Sequence, residues 1–90
     1  NTILYQRDIE NLSTTQINLL KALADGVKQF TSSTVMQQYK LGTPRNVIKN
    51  KKILENNDFI DISGKKLEFL DPAFEFWFKS YFMNKNIPYA

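Results

Sequence analysis

Residues 42–60 read GTPRNVIKNKKILENNDFI, a stretch that combines a strong helix start with a strand-like end. Thr43 precedes Pro44. Threonine caps the free N–H groups of a first helical turn, and proline at the first helical position loses no hydrogen bond. The pattern predicts a helix that ends near Asn57. The residues after it begin an alternation of apolar and polar side chains, which is typical of a strand.

Two more helices are predicted before this stretch. The sequence STTQ, which begins at Ser13, is a capping-box pattern, and the helix that it opens runs to Gly26, where glycine can close a helix. A second, short helix follows, capped by Thr31 and ending near Tyr39. Residues 1–12 show no clean period, and we interpret them as a helix or an extended arm.

A hairpin and a last helix are predicted after the central stretch. The hairpin pairs residues 59–62 with residues 65–70 across a tight turn at residues 63–64. Pro72 follows an aspartate, which repeats the cap-and-proline signature and opens the last helix. The predicted fold is mostly helical with a small β-hairpin. Its order, helix-helix-helix-hairpin-helix, is that of the winged helix-turn-helix arrangement.

The length of the chain, 90 residues, fits a single domain. We expect residues 13–83 to form its core, residues 1–12 to be a connecting segment and residues 84–90 to be a tail. The first residue is not methionine and apolar side chains follow it at once, so we expect a C-terminal fragment of a longer protein. No apolar run approaches the ~18 residues of a membrane span, so no membrane partner is expected.

The residue types on which most enzymes depend are missing from this sequence. It contains no histidine and no cysteine, which removes the usual general base, the thiolate nucleophile and the commonest zinc ligands. Hydrophobic residues make up 42% of the chain, enough for a folded domain. The sequence therefore predicts a binding module and not an enzyme.

Basic residues are concentrated in the middle of the chain. Residues 40–66 contain seven lysines and arginines against three acidic residues, within a chain whose net charge is +3. At about 100° per residue, four polar positions fall on one face of the central helix, opposite Val47 and Leu54. These positions are Arg45, Lys49, Lys52 and Asn56.

Such a face has the chemistry of a DNA reader, since arginine and lysine donate to guanine and asparagine pairs with adenine in the major groove. We therefore predict contacts to double-stranded DNA from the central helix and the hairpin. The predicted set is Arg45, Asn46, Lys49, Lys52, Asn56, Lys65 and Lys66. The same pattern also describes an ordinary solvated helix face, and fold alone does not decide between the two.

The last predicted helix carries more aromatic residues than one buried face needs. Its aromatic positions at helical spacing cover an arc of roughly 140°: Phe74, Trp77, Phe78, Tyr81 and Phe82. Phe76 lies outside this arc. We expect most of these rings in the core, and we predict Phe76 and Phe82 as contacts to another protein. This gives an alternative function, a regulatory module that docks on another domain or on a partner.

Three segments of the sequence resemble one known family. They are LSTTQINLLKALADG (12–26), YKLGTPRNVIKNKKILENNDFID (39–61) and FLDPAFEFWF (69–78). They are similar to the C-terminal winged-helix module of the archaeal-type prokaryotic P-loop ATPases, which also occur in bacteria. The most specific element is D-P-x-F-x-x-W, at Asp71, Pro72, Phe74 and Trp77.

The resemblance implies that ATP and Mg²⁺ are bound by an upstream domain of the parent protein, in the cytoplasm. No cofactor is expected in this chain, because its one Gly-Lys pair, Gly64-Lys65, is preceded five positions earlier by Phe59 where a phosphate loop has glycine. The resemblance implies DNA binding as the role of the module. Its own ATPase domain or another protein is the alternative partner.

Overall fold

The computed structural model describes residues 2–83, and residue 1 and the predicted tail, residues 84–90, lie outside this range. In chain order the elements are α1 (Thr2–Glu10), α2 (Thr14–Ala24), α3 (Ser33–Tyr39), α4 (Pro44–Asn56), β1 (Ile60–Asp61), β2 (Glu68–Phe69), α5 (Pro72–Trp77) and a π-helical turn (Phe78–Phe82). The predicted helical fold with a small antiparallel hairpin is confirmed. The first residues form a helix and not an extended arm. Among the described helices, none combines the length and the apolar character needed to cross a membrane.

Capping boxes fix the starts of α2 and α4. The hydroxyl of Ser13 accepts the N–H of Gln16 at 3.2 Å, and Gln16 Oε1 accepts the N–H of Ser13 at 3.0 Å. Thr43 and Asn46 make the same exchange at the start of α4. Each box satisfies two N–H groups that a helix start would otherwise leave without partners, which is why both predicted starts are confirmed.

The helix α3 begins one residue later than predicted. Ser32 and not Thr31 caps it, and the Ser32 hydroxyl accepts the N–H of Val35 at 3.2 Å.

The turn between α3 and α4 contains two residues with a left-handed backbone. After α3, Lys40 has a φ of 57° and Gly42 a φ of 85°. These two residues reverse the chain within a few positions, so that α3 and α4 both pack against α2.

The hairpin is shorter and its connection is longer than predicted. Two residue pairs form the ladder: Ile60 with Phe69, and Asp61 with Glu68. The connection therefore spans residues 62–67, and the predicted tight turn at residues 63–64 is wrong. The reason is local: the Asp61 carboxylate accepts the N–H of Ser63 at 2.9 Å and its hydroxyl at 2.6 Å, which bends the chain out of the strand. The same two bonds lower the pKa of the Asp61 carboxyl.

A single cluster of buried apolar side chains joins the helices to the hairpin. Its members come from α1, α2, α4, β1, α5, the π-helical turn and the connections on both sides of α3: Ile9, Leu19, Leu20, Ala22, Phe30, Leu41, Val47, Leu54, Ile60, Phe74, Trp77 and Phe78. Each large side chain of this kind contributes about 1.5–3 kcal/mol by leaving water. The cluster therefore holds α4 by its inner face and leaves its outer face free.

The last helix changes its hydrogen-bond pattern after Trp77. The N–H of Met83 donates to the carbonyl of Phe78, five residues earlier, at 2.8 Å, which is the bond of a π-helix. An uninterrupted α-helix was predicted here, and that prediction is wrong for the second half. Side chains no longer follow a step of about 100° per residue. Phe82 stacks on Phe78 with ring centroids 5.0 Å apart, whereas Tyr81 is 62% exposed.

Candidate nucleic-acid interface

The helix α4 has one buried face and one exposed face. Val47 and Leu54 lie in the core, as predicted from their spacing, together with Asn50. The four predicted positions on the opposite face, Arg45, Lys49, Lys52 and Asn56, are all exposed. Because they recur at steps of four, three and four residues, they form one cationic strip along the helix. We call these four residues the outer face.

An acidic neighbour contacts one lysine of the outer face. Lys52 Nζ lies 3.6 Å from Glu55 Oε1, and the Lys52 side chain is 69% exposed. Exposed pairs of this kind contribute about 0–1 kcal/mol, so a phosphate group can compete with the carboxylate. Within residues 2–83, no ion pair engages Arg45 or Lys49. The outer face therefore keeps its positive charge available.

Asn46 is held in the capping box at the start of α4. Its Oδ1 accepts the N–H of Thr43 at 2.9 Å and the hydroxyl of Thr43 at 2.8 Å. Bidentate pairing with adenine needs both the oxygen and the nitrogen of an amide. With the oxygen engaged, Asn46 retains only its N–H groups for a ligand. Asn46 is therefore not free for bidentate pairing with adenine.

A buried pair of amides fixes α4 against α2. Asn50 is 9% exposed, and its Oδ1 accepts an N–H from Gln16 Nε2 at 3.2 Å. A buried amide without a partner costs about 1–3 kcal/mol, so this bond favours one position of α4 over others. Sequence reasoning missed Asn50 as a positioning residue. The signal was its helical spacing from Val47 and Leu54, which puts a polar side chain on the inner face.

Sequence reasoning also missed an exposed isoleucine beside the outer face. Ile48 is 66% exposed. It lies three residues after Arg45 and four before Lys52, so it is their neighbour on the helix surface. In the major groove, apolar side chains contact the methyl group of thymine. Ile48 adds an exposed apolar side chain to a face whose predicted members were all polar.

We use the term wing for the hairpin and its connection. The two lysines of the wing, Lys65 and Lys66, lie apart from the outer face. Lys65 and Lys66 are exposed in this connection, and together with Lys51 they line a groove of about 610 Å³. No outer-face residue lines that groove. The structure thus brings Lys65 and Lys66 next to the Lys51 side of α4, and the predicted set divides into two cationic regions.

The two aromatic residues predicted as protein contacts have different surroundings. Phe76 is 66% exposed. Phe82 is half-buried, and its ring centroid lies 5.0 Å from that of Phe78 and 6.1 Å from that of Trp77. Tyr81, which was not predicted as a contact, is exposed instead. The exposed rings of the last helix and its π-helical turn are therefore Phe76 and Tyr81.

Comparison with known protein families gives one match. The family model described as "Probable winged helix domain" matches residues 3–80, which begin in α1 and end in the π-helical turn. No curated protein and no solved structure is significantly similar to the chain.

Proposed function

Because the chain belongs to the winged helix family, we propose that it is a non-catalytic module that binds double-stranded DNA through the outer face of α4. Winged helix domains often bind DNA or proteins, and they are generally not enzymes. One observation carries the proposal: four polar side chains, three of them cationic, are exposed along one face of a helix whose other face is buried. A recognition helix that lies in the major groove of DNA presents such an exposed polar face to the duplex.

The proposed contacts divide into those that read bases and those that hold phosphates. Arg45 is in the first turn of α4, where recognition helices meet base edges, and its guanidinium would donate to guanine. Ile48 would contact a thymine methyl group one turn further on. Lys49 and Lys52 would neutralise phosphates along the groove. The wing lysines would add contacts to phosphates without reading sequence.

We also propose that the module is the C-terminal part of a cytoplasmic prokaryotic P-loop ATPase. The support is the D-P-x-F-x-x-W element. Asp71 caps α5 by accepting the N–H of Ala73 at 2.9 Å, and Phe74 and Trp77 are both buried. Each residue of the element thus has a structural role in this chain. ATP and Mg²⁺ would be bound by the upstream ATPase domain.

Duplex binding by this chain should weaken steeply as salt rises. Four cations are proposed to face phosphates, namely Lys49, Lys52, Lys65 and Lys66. If each neutralises one phosphate, the log–log slope is about −3.6, and raising NaCl from ~50 to ~200 mM should weaken affinity roughly a hundredfold. Fluorescence anisotropy with a labelled duplex of about 20 base pairs measures this slope.

The double variant Arg45→Ala/Lys49→Ala should weaken binding and make that slope less steep by about 1, because Lys49 is the proposed phosphate contact of the two. Arg7→Ala is the matched control, because Arg7 is an exposed cation on α1, outside the proposed interface. It should leave the slope unchanged. Absence of salt-dependent binding, or an equal slope in wild type and the double variant, would reject DNA binding by the outer face.

A second function, docking on the parent ATPase domain or on another protein, is favoured by the exposed rings of Phe76 and Tyr81. Phe76→Glu should change the free energy of unfolding by less than about 0.5 kcal/mol, because the ring is mostly in water. It should nevertheless weaken assembly of the full-length protein, since a carboxylate would be buried at the contact. Analytical ultracentrifugation of the full-length protein measures assembly. Gln38→Glu, on the exposed surface of α3, is the control, and equal assembly of all three proteins would exclude this docking site.

A further inference from the structure

A groove lined by lysines and by buried or half-buried apolar residues lies beside the wing. It has a volume of about 610 Å³ and is bounded by the end of α2, the connection after it, α4, β2 and α5. Phe30, Leu67 and Phe69 contribute to its apolar lining. Five lysines line it against two glutamates: Lys28, Lys51, Lys65, Lys66 and Lys79. Lys79 is paired with Glu75 at 2.7 Å, so the excess positive charge rests with the other lysines.

The groove also contains the open edge of β2. In the described part of the chain, β2 pairs only with β1, in a two-stranded sheet. The N–H of Leu70 donates to the carbonyl of Phe59 at 3.1 Å, on the side of β1. Because bonded and non-bonded positions alternate in an antiparallel ladder, Phe69 turns its N–H and C=O away from β1. Continuing the same alternation past the end of β2 gives Leu67 this orientation as well, and both residues line the groove.

We propose that this groove binds an extended acidic segment of a partner protein, which adds to β2 as a third strand. The peptide backbone would exchange hydrogen bonds with Leu67 and Phe69, which is how strand addition gains affinity. Side chains of a strand alternate between its two faces. Apolar residues at every second position would pack near Phe30, and carboxylates between them would lie near Lys28 and Lys51. This surface is separate from the outer face, and it shares only Lys65 and Lys66 with the proposed phosphate contacts.

The open edge favours a peptide over a nucleic acid. The carbonyl groups of Leu67 and Phe69 need N–H donors, which a peptide backbone has and a phosphate backbone lacks. The groove is also lined by the ring of Phe30, over which Lys51 Nζ lies at 5.0 Å from the centroid. An apolar side chain of the peptide would pack near Phe30, and a neighbouring carboxylate would pair with Lys51. Charge complementarity and the open strand edge therefore identify the same kind of partner.

A synthetic peptide tests the proposal directly. The probe is a fluorescein-labelled peptide of about ten residues that alternates glutamate with valine and carries one central phenylalanine. We expect Lys28→Gln/Lys51→Gln to weaken its binding about fivefold, the combined effect of two exposed charge contacts. The matched control is Lys49→Gln/Lys52→Gln, two lysines of α4 that do not line the groove. That variant should bind the peptide like wild type, and thermal melting shows whether all variants are folded.

Amide hydrogen exchange supplies a readout that charge attraction alone does not change. Bound peptide should slow the exchange of the Leu67 and Phe69 N–H groups, because strand addition gives them acceptors. Absence of peptide binding, an equal affinity for the Lys28→Gln/Lys51→Gln variant, or binding without this protection would overturn the proposal. Protection of the same amides by a duplex and not by the peptide would assign the groove to DNA and also overturn it.

Discussion

Replacing Gly42 with alanine should lower the free energy of unfolding by about 2–3 kcal/mol. Gly42 has a φ of 85°, a region that costs a residue with a Cβ about 1–2 kcal/mol. An added Cβ would also lie 2.6 Å from Asn46 Oδ1. That oxygen is held by two hydrogen bonds to Thr43, so it can move away only by breaking the capping box, a loss of about 1 kcal/mol. Urea unfolding followed by circular dichroism measures the change.

Gly26→Ala is the matched control for this prediction. Gly26 has nearly the same φ, 87°, but a Cβ built there would have no other atom within 4 Å. It should therefore show only the backbone cost of about 1–2 kcal/mol. The difference between the two variants measures the crowding against Asn46. Equal losses would mean that the capping box of α4 tolerates the added methyl group.

Replacing Phe78 with alanine should destabilise the domain by about 3–5 kcal/mol. Phe78 is 0% exposed, and its ring contacts those of Phe82, Phe74 and Phe69, with centroids 5.0, 5.8 and 6.0 Å away. A cavity here would open in the middle of the aromatic cluster that joins the hairpin to the last helix. Because proteins are stable by only about 5–15 kcal/mol, this loss is a large share of the free energy of unfolding of the domain.

The neighbouring ring gives the control. Phe76 is two residues away and mostly exposed, so Phe76→Ala should change stability by no more than about 0.5 kcal/mol. Guanidinium unfolding of both variants, with tryptophan fluorescence from Trp77 as the probe, compares them under one condition. Similar midpoints for the two variants would contradict the burial of Phe78 at the centre of the cluster.

The helix starts could be predicted because their causes are local in sequence. Ser13, Thr43 and Asp71 each cap a helix through an N–H two or three residues later. A pattern of a few residues is enough to identify such a cap. The outer face of α4 could be predicted for a related reason, since a regular helix converts spacing directly into direction.

The features that sequence did not predict depend on side-chain competition or on distant residues. At Asp61, a carboxylate bonded to Ser63 ended the strand before the expected turn. After Trp77, the chain changes to a π-helical turn, in which Tyr81 is exposed and the half-buried Phe82 stacks on Phe78. Neither the early end of the strand nor the π-helical turn changes the spacing of apolar residues. That spacing therefore could not predict them.

The arrangement of the candidate site could not be predicted either, because it depends on contacts between residues that are far apart in the sequence. Gln16 and Asn50 are 34 positions apart, and only the folded chain brings them together. The groove beside the wing collects residues from the end of α2 to α5. For Lys51, the sequence indicated only a positive charge. The structure places its Nζ over the Phe30 ring and its side chain in the lining of the groove.

The side chain of Gln16 connects the start of α2 to α4. Its Oε1 receives the N–H of Ser13 and its Nε2 donates to Asn50, so one side chain both begins α2 and supports the inner face of α4. Loss of the Gln16 side chain would therefore remove a contact from the start of α2 and from the inner face of α4 at the same time.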